Sequence, residues 1–305
     1  MAEASFPLEP QAPQPGGPAP FARLPDLGSL FSRRANRFDQ LALSRTPKDF
    51  FLFLSALAHA QDSAARGLDL LNAAAVYAAD HAAGNTPPLA AAKVRLDRSW
   101  HDVFGTILSE LACASLPAQT GAAIRRGREL DGRVAEAWAH AILRGVYQPV
   151  DPAVAPLIAA ALQVYWAKLA SLCELELISS DSPSGNCPAC GSPPVSAVIS
   201  ADPASRGNRY LCCSLCATQW RLARIKCSNC ESFEGISYYG VDGADQALRA
   251  ETCDQCKVYL KTLYFEKDPQ LDPVADDTGS IALDILLGEA GWHRVTPVSF
   301  IFTPD

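Results

Sequence analysis

The chain has 305 residues, of which 49% are hydrophobic and 19% charged, with a formal net charge of −7. That length supports two domains and a sizeable core, and the acidic balance argues against a general nucleic-acid binder. No stretch approaches the ~20 uninterrupted apolar residues of a membrane span.

Residues 1–23 are expected to form a disordered, Pro-rich leader. MAEASFPLEPQAPQPGGPAP carries six prolines and lacks the apolar run of a secretory signal. A cytoplasmic location is the default expectation. There a reducing milieu disfavours disulfides, as does the odd count of eleven cysteines.

Residues 24–178 are rich in Ala and Leu at helical spacing and predict an all-helical domain. In DFFLFLSALAHAQ, the residues Phe50, Phe53, Leu54 and Leu57 share one face, after Pro47 and Asp49, which suit a first turn. Asp151-Pro152 predicts a helix start, followed by a stripe from Val154 through Leu157, Ile158, Ala161, Leu162, Tyr165, Leu169 and Leu172. GNTPP (84–88) and LPAQTG (116–121) act as breakers. The composition of 179–186 marks a linker. Beyond it, short strands are expected at 195–199, 209–211, 236–239 and 259–265. DDTGSIALDILLGEAG predicts one helix capped by its Asp pair, and VSFIF a final strand.

After the linker, nine cysteines crowd into 70 positions, and eight form C-x-x-C pairs: Cys187/Cys190, Cys213/Cys216, Cys227/Cys230 and Cys253/Cys256. Two intervening residues let a tight turn aim both sulfurs at one ion. Pro188 and Gly191 supply the fixed and the permissive backbone such a knuckle favours. A shift of 40 residues superposes the first four cysteines on the second four. It also carries Ile199 onto Tyr239, Trp220 onto Leu260 and Arg221 onto Lys261. The repeat predicts two successive four-cysteine sites, in modules 187–226 and 227–268, with 269–305 as a closing helix and strand. A rival pairing joins Cys213/Cys216 to Cys227/Cys230 and dissolves the repeat.

Each module is then a zinc-ribbon or rubredoxin-like unit, and the whole an α+β protein of a helical domain, two tandem ribbons and a C-terminal helix. Neither module holds enough apolar material for its own core, so metal binding of ~10–16 kcal/mol is expected to drive its folding. The expected cofactors are two mononuclear ions, iron or zinc, since four sulfurs suit either. A closed shell leaves no position for water or substrate, which disfavours hydrolytic metal catalysis. Four thiolates leave about −2 around a divalent ion. Arg206, Arg209, Arg221, Arg224 and Lys226 are expected to offset this charge, with an anion or partner surface as the alternative.

Elsewhere the sequence favours plain packing. Cys113, Cys173 and Cys212 are expected to be small packed side chains. The histidines His59, His81, His101, His140 and His293 have no ligand spacing to a knuckle. No G-x-x-x-x-G-K-[ST] or G-x-S-x-G occurs, so no phosphate loop or nucleophile elbow is expected.

CPACGSPPVSAVI, RYLCCSLCATQWRLARIKCSNCE and RAETCDQCKVYLKTLYFEKDPQLDPVADD resemble the FdhE-type formate dehydrogenase accessory proteins. LFSRRANRFDQLA with the Phe/Leu-rich DFFLFLSALAHAQ is similar to that family's N-terminal region. The resemblance spans about residues 24–295 and includes Arg209, Tyr210, Leu211, Trp220, Arg224, Asp276 and Asp277. It departs at the end, where Val298, Ser299, Phe300 and Ile301 stand in place of an Asn-Pro-Phe-Leu type of segment, and Cys212 falls at a variable position.

The resemblance implies a cytoplasmic, non-enzymatic maturation factor for respiratory formate dehydrogenase. Such a factor binds the molybdopterin-containing catalytic subunit and holds metal through the eight knuckle cysteines. It implies no membrane or nucleic-acid partner and leaves a homodimer open. The rival readings are a rubredoxin-like electron carrier and a nucleic-acid-binding zinc ribbon using the basic run 221–226.

Overall fold

The computed structural model describes residues 19–69, 86–148, 150–178, 184–241, 246–297 and 300–301. Most of the expected Pro-rich leader, His81 and most of the linker lie outside them. Helices α1 (Leu30–Ser44) and α2 (Lys48–Gly67) pack together through Phe31, Ala35 and Phe38 on one and Phe51, Leu54, Leu57 and Ala58 on the other. Phe50 and Phe53 are only half-buried, whereas Phe51 is buried. Among the described residues α1, α3 (Arg98–Cys113) and α6 (Ala155–Ser171) pack against α2, so its buried arc is wider than one stripe.

Asp97 caps α3 by accepting from Ser99 N (2.8 Å). After the expected break, Pro117 precedes α4 (Ala118–Glu129), so the end of LPAQTG is already helical. Asp131 caps α5 (Gly132–Leu143). The helix expected from Asp151-Pro152 begins later, at Ala155. Asp151 Oδ1 accepts from Ala153 N (2.9 Å) and stabilises a turn that leads into the helix. Val154 through Ala170 are buried on almost every face of α6, Ala159 and Lys168 excepted, which makes it the centre of the helical domain rather than an edge with one apolar stripe. Each Leu or Ile fully buried there contributes roughly 1.5–3 kcal/mol.

The rest of the chain builds one mixed sheet. The strands are β1 (Ala22–Arg23), β2 (Pro194–Ile199), β3 (Arg209–Cys213), β4 (Gln219–Arg221), β5 (Ile236–Tyr239), β6 (Leu248–Cys253), β7 (Val258–Tyr264) and β8 (His293–Arg294). The four expected strands are present with ends moved by a residue or two. β4 and β6 complete the two ribbons and were not anticipated. Nor was β1, whose Ala22 and Arg23 fall inside the segment assigned to the leader and pair with Trp220 and Gln219.

The sheet order is β1-β4-β3-β2-β7-β6-β5, with β8 beside β7. It consists of two antiparallel three-stranded ribbons, each ordered third, second, first, laid edge to edge. The joint is a parallel pairing of β2 with β7, which sets Ala197 opposite Thr262 and Ile199 opposite Tyr264. Across this seam Arg209 Nη2 meets Glu251 Oε1 at 2.7 Å, with both side chains buried.

The tail is two helices instead of one, α7 (Ala275–Gly279) and α8 (Ile281–Glu289), broken at Ser280. Asp272, not the Asp pair, caps α7 by accepting from Val274 N and Ala275 N. Asp276 instead chelates Arg37 of α1, and Asp277 binds Arg294 and lies 3.5 Å from Lys261. Strand β8 lies upstream of VSFIF, in which residues 298, 299 and 302 lie outside the described residues. Within that segment Phe300 adopts φ 64°, which is incompatible with a strand.

Candidate metal centres

Each knuckle is a tight turn at the foot of a ribbon, and β hairpins bring two of them together. Cys187 and Cys190 precede β2, while Cys213 ends β3 and Cys216 lies in the turn to β4. In the second ribbon Cys227 and Cys230 precede β5, Cys253 ends β6 and Cys256 lies in the turn to β7. The sulfurs of Cys187, Cys190, Cys213 and Cys216 fall within 4.8 Å of one another, as do those of Cys227, Cys230, Cys253 and Cys256. The clusters therefore form within the repeat units, and the rival pairing is excluded.

The separations fit a single ion. Cys187 to Cys216 is 3.6 Å and Cys190 to Cys213 is 3.4 Å, and their counterparts in the second cluster are 3.7 and 3.6 Å. A tetrahedron of sulfurs about 2.3 Å from zinc has edges of about 3.8 Å, whereas a disulfide brings its sulfurs to about 2.05 Å. All these cysteines are free thiols.

Backbone amides aim at the sulfurs: Leu215 N and Cys216 N at Cys213, and Asn229 N at Cys227, each at 3.3 Å. Such donors favour thiolate. Burial and the neighbouring thiols nevertheless push Cys187 and Cys213 well up, and burial pushes Cys227 up to about 12. Burial also raises Cys190 and Cys256, but hydrogen bonds outweigh it. For Cys190 these come from the other three thiols, and for Cys256 chiefly from Asn229, which leaves it at about 7. Cys190 in the first cluster and Cys256 in the second are thus held down, beside Cys187 and Cys213 in the first and Cys227 in the second, which are pushed up. Four thiolates coexist there only around a cation.

The knuckles share a backbone feature that the sequence does not announce. The residue after the second cysteine of every pair has positive φ: Gly191 (78°), Ala217 (58°), Glu231 (61°) and Lys257 (56°). The chain must turn left-handed there to let amides face sulfur, and only the first position is a glycine. Cys187 N donates to Ser192 O and Cys227 N to Ser232 O, the same bond 40 residues apart.

The two clusters differ in their surroundings. In the first, all four cysteines are buried and belong to the same apolar core as α1, α2, α3 and α6. Leu89 N donates to Ala189 O (2.8 Å) and Ala91 N to Cys190 O (2.9 Å), so a segment of the helical domain is hydrogen-bonded onto the first knuckle. Gln163 of α6 donates to Ser214 O (2.9 Å) between Cys213 and Cys216, while its Oε1 accepts from Arg34 and Gln61. In the second cluster Cys230 is exposed and Cys256 half-exposed, and the neighbouring Ile225 and Phe233 are 56% and 58% exposed. The clusters also touch through the linker. A side chain at Gly185 would overlap the carbonyl of Ser228, inside the third knuckle.

The remaining expectations divide. Cys173 and Cys212 are buried, and burial pushes the Cys212 thiol up to about 12. Cys113 is exposed, against expectation, because it ends α3 beyond the buried stripe that closes at Leu111. Among the described residues no histidine joins a four-ligand cluster. Of the cations expected to offset the sulfur charge, Arg209 is committed to Glu251 and to the carbonyls of Ala223 and Lys226, and Lys226 pairs with Glu231. Arg221, exposed, does not follow its counterpart Lys261, which is buried between Asp277 and Asp284. Tyr210 donates to Pro20 O and Trp220 Nε1 to Ser184 O, so several residues that carry the resemblance are joints between segments.

Comparison with known proteins agrees along most of the chain. Three family models match: FdhE N-terminal over residues 19–177, FdhE central domain over 186–224 and FdhE C-terminal domain over 225–301. A protein FdhE homolog of Edwardsiella ictaluri is 37% identical over 287 residues, covering 94% of this chain and 92% of that relative. Protein FdhE of Escherichia coli is 34% identical over 282 residues, covering 91% and 90%. The crystal structure of the FdhE protein from Pseudomonas aeruginosa superposes with a TM-score of 0.82 at 32% identity, covering 94% of this chain and all of that one. The chain belongs to the FdhE family.

Proposed function

We propose that this protein is a cytoplasmic accessory factor for the maturation of formate dehydrogenase, that it binds the catalytic subunit of that enzyme, and that it is not itself an enzyme. The observation that carries this reading is family membership across nearly the whole chain, together with two four-sulfur cages of matching geometry. Cys187, Cys190, Cys213 and Cys216 would hold one ion and Cys227, Cys230, Cys253 and Cys256 a second, each iron or zinc. An ion in either cage supplies charge to organise four thiolates and, if iron, a one-electron couple. With every coordination position taken by sulfur, neither cage offers a place for substrate.

The first cage serves as the joint between the helices and the ribbons. The second, with Cys230 open to solvent between the apolar Ile225 and Phe233, is the face offered to the catalytic subunit. Among the described residues no helix is long and apolar enough to cross a membrane. Affinity purification from cells that express formate dehydrogenase tests the proposal. The catalytic subunit is expected in the eluate, and its absence under conditions that yield active enzyme overturns the reading.

The exposure of Cys230 favours one second reading, a rubredoxin-type electron carrier, because electron exchange needs a near-surface centre. It requires red, iron-loaded protein with a reversible couple. Colourless, zinc-loaded protein from iron-replete cells rules it out.

A further inference from the structure

Beyond the carboxyl ends of the parallel pair β2 and β7 lies a cavity of about 820 Å³ that the cages do not use. Both ribbons wall it. The first contributes Ile199, Arg206 and Arg224, and the second Arg249, Tyr264, Phe265, Glu266 and Lys267. Its described lining carries four cationic side chains, Arg206, Arg224, Arg249 and Lys267, against one carboxylate, Glu266, in a protein whose overall charge is −7.

Such a concentration of like charge costs energy unless something offsets it. Among the described lining residues the single carboxylate offsets part of this charge. Arg206 Nε and Glu266 Oε1 are 3.6 Å apart, and both side chains are about half exposed. Arg249 donates from Nη2 to Gln246 Oε1 (3.1 Å), yet its Nε is buried without a hydrogen-bond partner. Its guanidinium lies 5.3 Å from the centre of the Tyr264 ring, and Lys267 Nζ lies 5.5 Å from the same ring while donating to Gln246 O (3.3 Å). Burial raises the Tyr264 phenol, against the pull of Arg249 and Arg224, so it stays a donor.

We propose that this seam cavity is an oxyanion site that takes the diphosphate group of a small molecule. Three arginines around one concavity match a compact, multiply charged oxyanion, since each planar fork can give two parallel N–H···O bonds. Tyr264 and Phe265 supply an apolar wall for the organic part. An acidic peptide is the rival, but an extended chain would use one or two of these forks at a time. The site needs both ribbons, so it exists only when β2 and β7 are paired, and it is independent of the formate dehydrogenase reading.

The test is calorimetric titration of the full-length, metal-loaded chain with inorganic pyrophosphate, then ADP, AMP and a decamer of glutamate. Saturable one-site binding of pyrophosphate is expected, with ADP at least as tight and AMP and the peptide weaker. Arg249→Gln is expected to weaken binding by about tenfold. Arg206→Gln, at a half-exposed position that keeps the fold intact, should weaken it too. Bound metal and melting temperature should not change in Arg206→Gln, and Lys93→Gln on the helical domain should bind as wild type. Absence of saturable binding overturns the proposal, as does wild-type affinity in both Arg206→Gln and Arg249→Gln, or tighter binding of the glutamate peptide.

Discussion

The two cysteine cages share ligand spacing, hairpin geometry and left-handed knuckle backbones, but they sit in different environments. The first is sealed inside the helical core and hydrogen-bonded to 89–91 and Gln163, and the second opens to solvent at Cys230. Spacing along the chain therefore determines that sulfurs can meet. What the cage does for the protein depends on what packs over it. A sealed cage couples metal binding to the folding of everything around it, while an open one can lose its ion, or meet a partner, with the rest of the fold in place.

The largest expected effect comes from breaking one cage at a time. Cys190→Ser should abolish the first ion and lower the melting of the whole chain, with a fluorescence change as Trp166 and Trp220 lose their burial. Cys230→Ser should lose one ion yet leave the helical melt within a few degrees. Circular dichroism and metal analysis read both outcomes. Equal global losses in the two variants would dissolve the contrast.

Next comes the seam that joins the cages. Glu251→Gln leaves Arg209 buried without its counter-charge and should cost about 3–5 kcal/mol, measured by denaturant unfolding. The apolar pair Arg209→Met with Glu251→Leu should recover much of that loss. A comparable deficit in the double variant would mean that the ion pair itself, and not the uncompensated charge, carries the joint.

Metal removal sharpens the same contrast kinetically. Under a chelator with a chromogenic readout, release should be biphasic, with one ion leaving through the exposed Cys230 side while the helical signal stays constant. The second ion should leave only as the helices melt. A single phase tied to unfolding would show that the cages are energetically one unit.

The smallest effect is at the knuckle backbone. Gly191→Ala should cost roughly 1–2 kcal/mol, the penalty of the left-handed conformation alone, because its new Cβ would meet only Pro87 Cγ at an ordinary 3.7 Å. Ala217→Gly should stabilise by up to ~1 kcal/mol in thermal unfolding, since it relieves the same conformation. Gly185→Ala is different in kind. It forces a Cβ into the Ser228 carbonyl and should disturb the second cage from a position outside it.

Much of this was legible in the residues, and the limits of that legibility are physical. The C-x-x-C pairs, their 40-residue repeat and the short β-branched runs are local signals, and the strands expected around 195–199 and 236–239 lie where their side chains dictate. The Asp pair was legible as charge but not as partner. Asp276 and Asp277 are committed to Arg37 and Arg294, and their neighbour Asp272 takes the cap. Similarity under the repeat misled at Arg221, because its counterpart Lys261 is covered by α7 and α8, for which the first ribbon has no equivalent.

By itself, then, the sequence determined that the cysteines form C-x-x-C pairs in a 40-residue repeat, that the N-terminal half is helical, and a resemblance to one family. These follow from short-range geometry and from side chains a few positions apart. Only the tertiary structure decided that the ribbons join through a parallel pairing of β2 with β7, that one cage is sealed and the other open, and that non-glycine residues hold left-handed turns. Those outcomes depend on surfaces from segments far apart in the chain meeting one another, and no periodicity within either segment records the meeting.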